Sequence, residues 1–217
     1  MLKLLSAAAA LAAALALATG PASAAQDKHA PSAQDEQPPG SAGQGKPSFE
    51  HVHALAVTAD GRTLFLGAHA GLFRSEDGGR SWQPVALPSK HSHVDVMAVT
   101  PHPQDAGTIY AATHEAGAFK TTDHGKSWQE VSAGLGGVDV HGLAIDPREP
   151  QKLHAAVRDK SEGIYRSTDG GAKWLRVDDG PGGEVKVLIS VNISTGMGGI
   201  FLYAGTAAGL QRNPDCF

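Results

Sequence analysis

Ser75-Glu76-Asp77-Gly78-Gly79-Arg80-Ser81-Trp82 recurs as Thr121-Thr122-Asp123-His124-Gly125-Lys126-Ser127-Trp128 and again as Ser167-Thr168-Asp169-Gly170-Gly171-Ala172-Lys173-Trp174, each copy 46 residues after the last. All three tryptophans of the chain sit in it. A constant period of this size, with one supersecondary unit per period, predicts a propeller or solenoid rather than a two-layer domain. Each copy follows a short strand-like run, Gly71-Leu72-Phe73-Arg74, Gly117-Ala118-Phe119-Lys120 or Gly163-Ile164-Tyr165-Arg166, and leads into another after its Trp. The motif is therefore read as a hairpin turn. Its hydroxyl and carboxylate can accept hydrogen bonds from turn N–H groups, its Gly supplies a positive φ, and its Trp has an apolar body to bury in the adjoining sheet.

These residues resemble the Asp-box, or BNR, repeat, Ser/Thr-x-Asp-x-Gly-x-Ser/Thr-Trp. The first two copies match it throughout, and the third departs at Lys173. The resemblance covers roughly residues 49–217 and implies an all-β, β-propeller-like fold of about four four-stranded blades. The motif would lie between the third and fourth strands of each blade. It gives Ser75, Asp77, Gly79, Trp82, Thr121, Asp123, Gly125, Trp128, Ser167, Asp169, Gly171 and Trp174 structural roles. Such repeats occur in sialidases, xyloglucanase-like glycoside hydrolases, sortilin receptors and photosystem assembly factors, so the resemblance fixes architecture and not chemistry. Exported BNR-repeat proteins with openings similar to His51-Val52-His53-Ala54-Leu55 and His69-Ala70-Gly71-Leu72-Phe73 are often labelled glycosyl hydrolases, a label that follows from the repeat itself.

A decayed fourth copy, Gly209-Leu210-Gln211-Arg212-Asn213-Pro214-Asp215, keeps the 46-residue register without the Gly or Trp. The last blade is thus expected to be incomplete, left open or completed by the N-terminal segment near Pro47-Ser48-Phe49-Glu50 or by another chain. Residues 1–24 read as a secretory signal peptide, with Lys3, an apolar run from Leu4 to about Ala18, and the small residues Ala22-Ser23-Ala24. Residues 25–48 are rich in Gln, Pro, Ser and Gly and read as a disordered linker. The propeller domain then occupies 49–217, with repeats at about 49–92, 93–137, 138–184 and 185–217. The expected location is a bacterial periplasm or the medium, with no membrane span in the mature form. A single cysteine, Cys216, excludes an internal disulfide.

The net charge is −4 and the basic residues are dispersed, which argues against a nucleic-acid partner. Eleven histidines are the compositional exception. Aligning Val52, Val94, Val140 and Lys186 as starts of the innermost strands puts His51 and His53, His93 and Asp95, and Asp139 and His141 at blade entries. Residues two apart on a strand share a side. Each of three blades would then present a pair of ligands near the axis. Imidazoles and carboxylates together suit a divalent zinc or copper ion. His69 and His114, closing second strands, form a second layer, with Arg158 at about the same place in blade three. His91, His102, His124 and His154 are assigned to loops or turns, and His29 to the linker.

No catalytic residue is assigned. The three arginines of a sialidase clamp are missing as a convergent set, because Arg74, Arg166 and Arg212 share one repeat position. Asp77, Asp123 and Asp169 are equivalent turn residues and do not form a glycosidase pair. The expected function is an exported binding or assembly module with a metal or small-ligand site at the axial mouth. A glycoside hydrolase acting on an extracellular glycan is the first alternative. A self-associating structural repeat protein, forming a homo-oligomer through its open terminal blade, is the second.

Overall fold

The computed structural model describes residues 49–158, 161–181, 184–195 and 199–214, all within the unit Gln44–Phe217. The leader and linker assignments, and Asp215, Cys216 and Phe217, lie outside the described residues. The first sheet consists of β1 (Val52–Val57), β2 (Leu64–Ala68), β3 (Gly71–Ser75) and β4 (Gln83–Val85). The second has β5 (Val96–Pro101), β6 (Ile109–Thr113), β7 (Ala118–Thr121) and β8 (Gln129–Glu130), and the third β9 (Val140–Ile145), β10 (Leu153–Val157), β11 (Gly163–Ser167) and β12 (Leu175–Asp178). β13 (Val185–Ser194), β14 (Ile200–Thr206) and β15 (Gly209–Pro214) make up the fourth. Strands pair antiparallel in sequence order within every sheet, and the fourth has three strands among the described residues. No helix among those residues is long and apolar enough to cross a membrane.

The four sheets are blades about a common axis, a propeller-like arrangement. β1 packs on β5, β5 on β9 and β9 on β13. All four innermost strands line one central space of about 510 Å³. Middle strands such as β6 and β10 are buried along their whole length, and their alanines, Ala111, Ala112, Ala155 and Ala156, let neighbouring blades approach closely. Three apolar layers separate successive blades. Phe65 and Leu72 meet Val96, Ile109 and Phe119 at the first joint, and Tyr110 and Val131 meet Leu143, Leu153 and Trp174 at the second. Ala144 and Ile164 meet Leu188 and Leu202 at the third. The outward faces of the end blades stay open: Leu55 and Val57 on β1, and Val187 and Ile189 on β13, are at least half exposed.

All three motif copies are turns joining the third strand of a blade to its fourth, β3 to β4, β7 to β8 and β11 to β12. Ser75 Oγ accepts from Gly79 N at 2.9 Å and donates to Asp77 Oδ1 at 2.8 Å. The same carboxylate accepts Ser81 N at 2.9 Å and Ser81 Oγ at 2.6 Å. Thr121, Asp123, Gly125 and Ser127 repeat every one of these bonds. In the third copy Lys173 still donates its backbone N–H to Asp169 at 3.0 Å, but it has no hydroxyl to reach the second carboxylate oxygen. These bonds hold the Asp77, Asp123 and Asp169 carboxyls below the usual carboxylate range, led by Ser81, Ser127 and Ser167 respectively.

One expectation is corrected. The backbone N–H groups of His69, His114 and Arg158 are accepted by the carbonyls of His51, Asp95 and Asp139. Ladder partners are Val52 with Ala68, Val96 with Thr113, Val140 with Val157 and Val185 with Thr206. The equivalent starts are therefore Val52, Val96, Val140 and Val185. The sequence alignment was two residues out in blade two and one in blade four. The cause is that the 46-residue period belongs to the turns. Loops before the first strands vary in length, so those strands recur after 44, 44 and 45 residues, each with a register shift at its start.

Candidate functional site

In the corrected register the residue before each starting valine is His51, Asp95, Asp139 or Glu184, and the residue after it is His53, Met97, His141 or Lys186. The residue that follows each second strand in the first three blades is His69, His114 or Arg158. At every joint this last residue reaches the carboxylate of the next blade. His69 Nδ1 lies 2.9 Å from Asp95 Oδ2, His114 Nδ1 3.0 Å from Asp139 Oδ1, and Arg158 Nη1 3.2 Å from Glu184 Oε1. The joints are thus clasped at the axial mouth by a repeated pair of a nitrogen donor and an acid.

Around the first clasp, His53 Nε2 stands 3.2 Å from Asp95 Oδ1. The His93 and His51 rings lie 4.9 Å and 6.2 Å from that of His69. Around the second, His141 Nε2 is 2.8 Å from Asp139 Oδ1 and 3.3 Å from His114 Nδ1. Arg158 Nη1 approaches the same imidazole nitrogen at 2.9 Å. His141 is buried, and burial pushes its pKa down, opposed by the Asp139 charge and reinforced by Arg158. His69 goes the other way: the hydrogen bond and then the charge of Asp95 raise its pKa.

His114, Asp139 and His141 form the one group of three among the described residues whose ligand atoms all lie within 4.8 Å of one another. Tetrahedral zinc with bonds of ~2.0–2.1 Å separates its ligands by about 3.3 Å. The three separations here, 2.8, 3.0 and 3.3 Å, need little adjustment to meet that. Three protein ligands leave a fourth position open on the solvent side, where His114 is exposed.

The six residues chosen as ligands from sequence therefore do not converge on one point. His53 and Asp95 cluster at the first joint, with His51 and His93 beside them, and Asp139 and His141 cluster at the second. His69 and His114 are direct partners of the acids and not an outer layer. Arg158 is an acid's partner of the same kind. Glu184 was missed, and its signal was the acid directly before the first valine of a blade, hidden by the misplaced register. His154 lies buried in β10 and not in a loop. His102 caps a loop, its Nδ1 accepting from the N–H groups of Gln104 and Asp105.

Residues 70–184, more than half of the chain, match the family described as Sortilin-Vps10: Sortilin, neurotensin receptor 3. The chain belongs to that family. No curated protein sequence matches it. Among solved structures, this Sortilin-Vps10 member is similar to YCF48 bound to D1 peptide, with 18% identity, a TM-score of 0.57, and 78% of this chain and 53% of that one covered. It is similar to the extracellular domain of the hybrid two-component system BT3049 from B. thetaiotaomicron, with 17% identity, a TM-score of 0.57 and coverage of 77% and 24%. The third is the GH74 xyloglucanase from Xanthomonas campestris, with 22% identity, a TM-score of 0.52 and coverage of 75% and 29%. The chain spans about half the length of the first and less than a third of the other two. At these identities the likeness is one of fold.

Proposed function

We propose that this Sortilin-Vps10 member is an exported binding module that holds one divalent cation, zinc or copper, at its axial mouth through His114, Asp139 and His141. The open coordination position would take a donor group of the ligand. The observation that carries this reading is the triad itself: two imidazole nitrogens and a carboxylate oxygen at tetrahedral separations. Burial keeps His141 neutral and able to bind metal. Arg158 beside it carries an opposing charge, which Glu184 at 3.2 Å offsets. Export rests on the leader read at residues 1–24, with 25–48 as the tether and 49–217 as the propeller. It accords with the likeness to an extracellular sensor domain. The likeness to YCF48 bound to D1 peptide makes a peptide a suitable ligand class. The hydrolase alternative is less well supported, because Asp95 and Asp139 are each engaged by two histidines and are not set across a cleft.

Calorimetry with Zn²⁺ and with Cu²⁺ on untagged mature protein is the test. One ion per chain is expected, with His114→Ala and His141→Ala each weakening it at least tenfold. Absence of binding, or binding that survives both substitutions together, overturns the reading.

A further inference from the structure

A second site lies at the third blade joint, away from the axial mouth, and it is defined by what fills the same place at the other joints. Trp174 is 1% exposed between blades two and three and donates its indole N–H to Val131 O at 2.7 Å, in the preceding blade. Trp128 stands likewise between blades one and two, edge-on to Phe65 at 6.2 Å. The corresponding place between blades three and four is a cavity of about 130 Å³.

Its walls repeat the walls around Trp174 residue for residue. Ile164 stands where Ala118 does, Val177 where Val131 does, and Leu188, Leu202 and Ala204 where Leu143, Leu153 and Ala155 do. The floor is repeated as well. Gly134 has a φ of 94°, and a Cβ there would meet the backbone of Trp174. Gly180, 46 residues on and lining the cavity, has a φ of 90° and only the Gly163 Cα within 4 Å of that point. In blades one to three the third strand pairs with a fourth that carries the Trp of the preceding turn. β15 is exposed throughout and pairs on one side only among the described residues.

We infer that this cavity is a binding slot for an indole side chain, presented by an extended peptide that adds to the free edge of β15 as the fourth strand of the last blade. Edge addition supplies main-chain hydrogen bonds, and the pocket supplies specificity. The peptide belongs to a different polypeptide. A second copy of this chain has no tryptophan to spare, since Trp82, Trp128 and Trp174 are all engaged in their own turns and joints.

The chain's own third turn and fourth strand, residues 169–178, provide the probe, used as a labelled synthetic peptide in fluorescence anisotropy alongside its Trp→Ala analogue. The mature protein should bind one Trp peptide per chain and bind the analogue at least tenfold more weakly. Ala204→Phe, which fills the slot, should abolish binding. Gln211→Trp on the exposed rim blocks the entrance without disturbing buried packing and covers the case in which Ala204→Phe does not fold. Equal binding of the two peptides, or undiminished binding by the blocked proteins, overturns the inference. So does a dimer of the mature protein that the peptide dissociates, which would assign the slot to a second copy. None of these readouts involves metal, so the cation reading stands or falls separately.

Discussion

Gly125 shows how little freedom a motif residue has. Its φ is 80°, and a Cβ there would come within 2.7 Å of the Phe65 ring of the preceding blade. Gly125→Ala should therefore destabilise the protein by about 2–4 kcal/mol, combining left-handed strain with overpacking. Urea unfolding would show it as a lower midpoint at unchanged slope. His124, next to it, also has a positive φ, 62°, where the other copies have Gly78 and Gly170. Its side chain meets no such wall, so the position tolerates it. The bracing of the turn by Ser75 and Asp77 was legible in the sequence, because Asp-box chemistry is local. The acceptor of the Trp174 indole was not: Val131 lies 43 residues away in another blade.

At the scale of strands, the clasps connect each second strand to the next blade's first. Because the folded-state pKa of His69 is raised, its clasp contributes fully below the unfolded imidazole value of ~6.5 and is lost as pH rises through the higher folded value. The melting temperatures of wild type and His69→Gln should thus differ most near pH 5 and converge in alkaline solution. A gap that widens with pH would contradict the clasp. Metal affinity follows the opposite course, falling with acid, but burial of His141 should carry binding to lower pH than an ordinary imidazole allows. Sequence gave the right residue types for this region and the wrong grouping. Turn spacing is set by the hairpin, whereas strand starts depend on loops and a register shift that leave no periodic trace.

Across the whole molecule, one repeat position has two opposite environments. Leu143 of β9 is 3% exposed at the second joint, whereas Leu55, its equivalent on β1, is 64% exposed on the outward face of the first blade. Leu143→Ala should cost about 2–5 kcal/mol, and Leu55→Ala less than about 0.5 kcal/mol. Equal losses in chemical denaturation would mean that the first blade's outer face is covered in solution. The number of blades and their order were readable from the 46-residue period. The cavity at the third joint was not, since it arises where a decayed copy supplies no Trp and only the packed blades reveal the gap.

The three clasps differ in chemistry as well as position. The first relies on an imidazole that sheds its proton as solution becomes alkaline, while the third relies on a guanidinium that stays charged throughout. Alkaline stress therefore acts unevenly along the chain: the N-terminal blade is the first to lose its grip and the fourth is held longest, a built-in order of disassembly running from one end of the arc to the other.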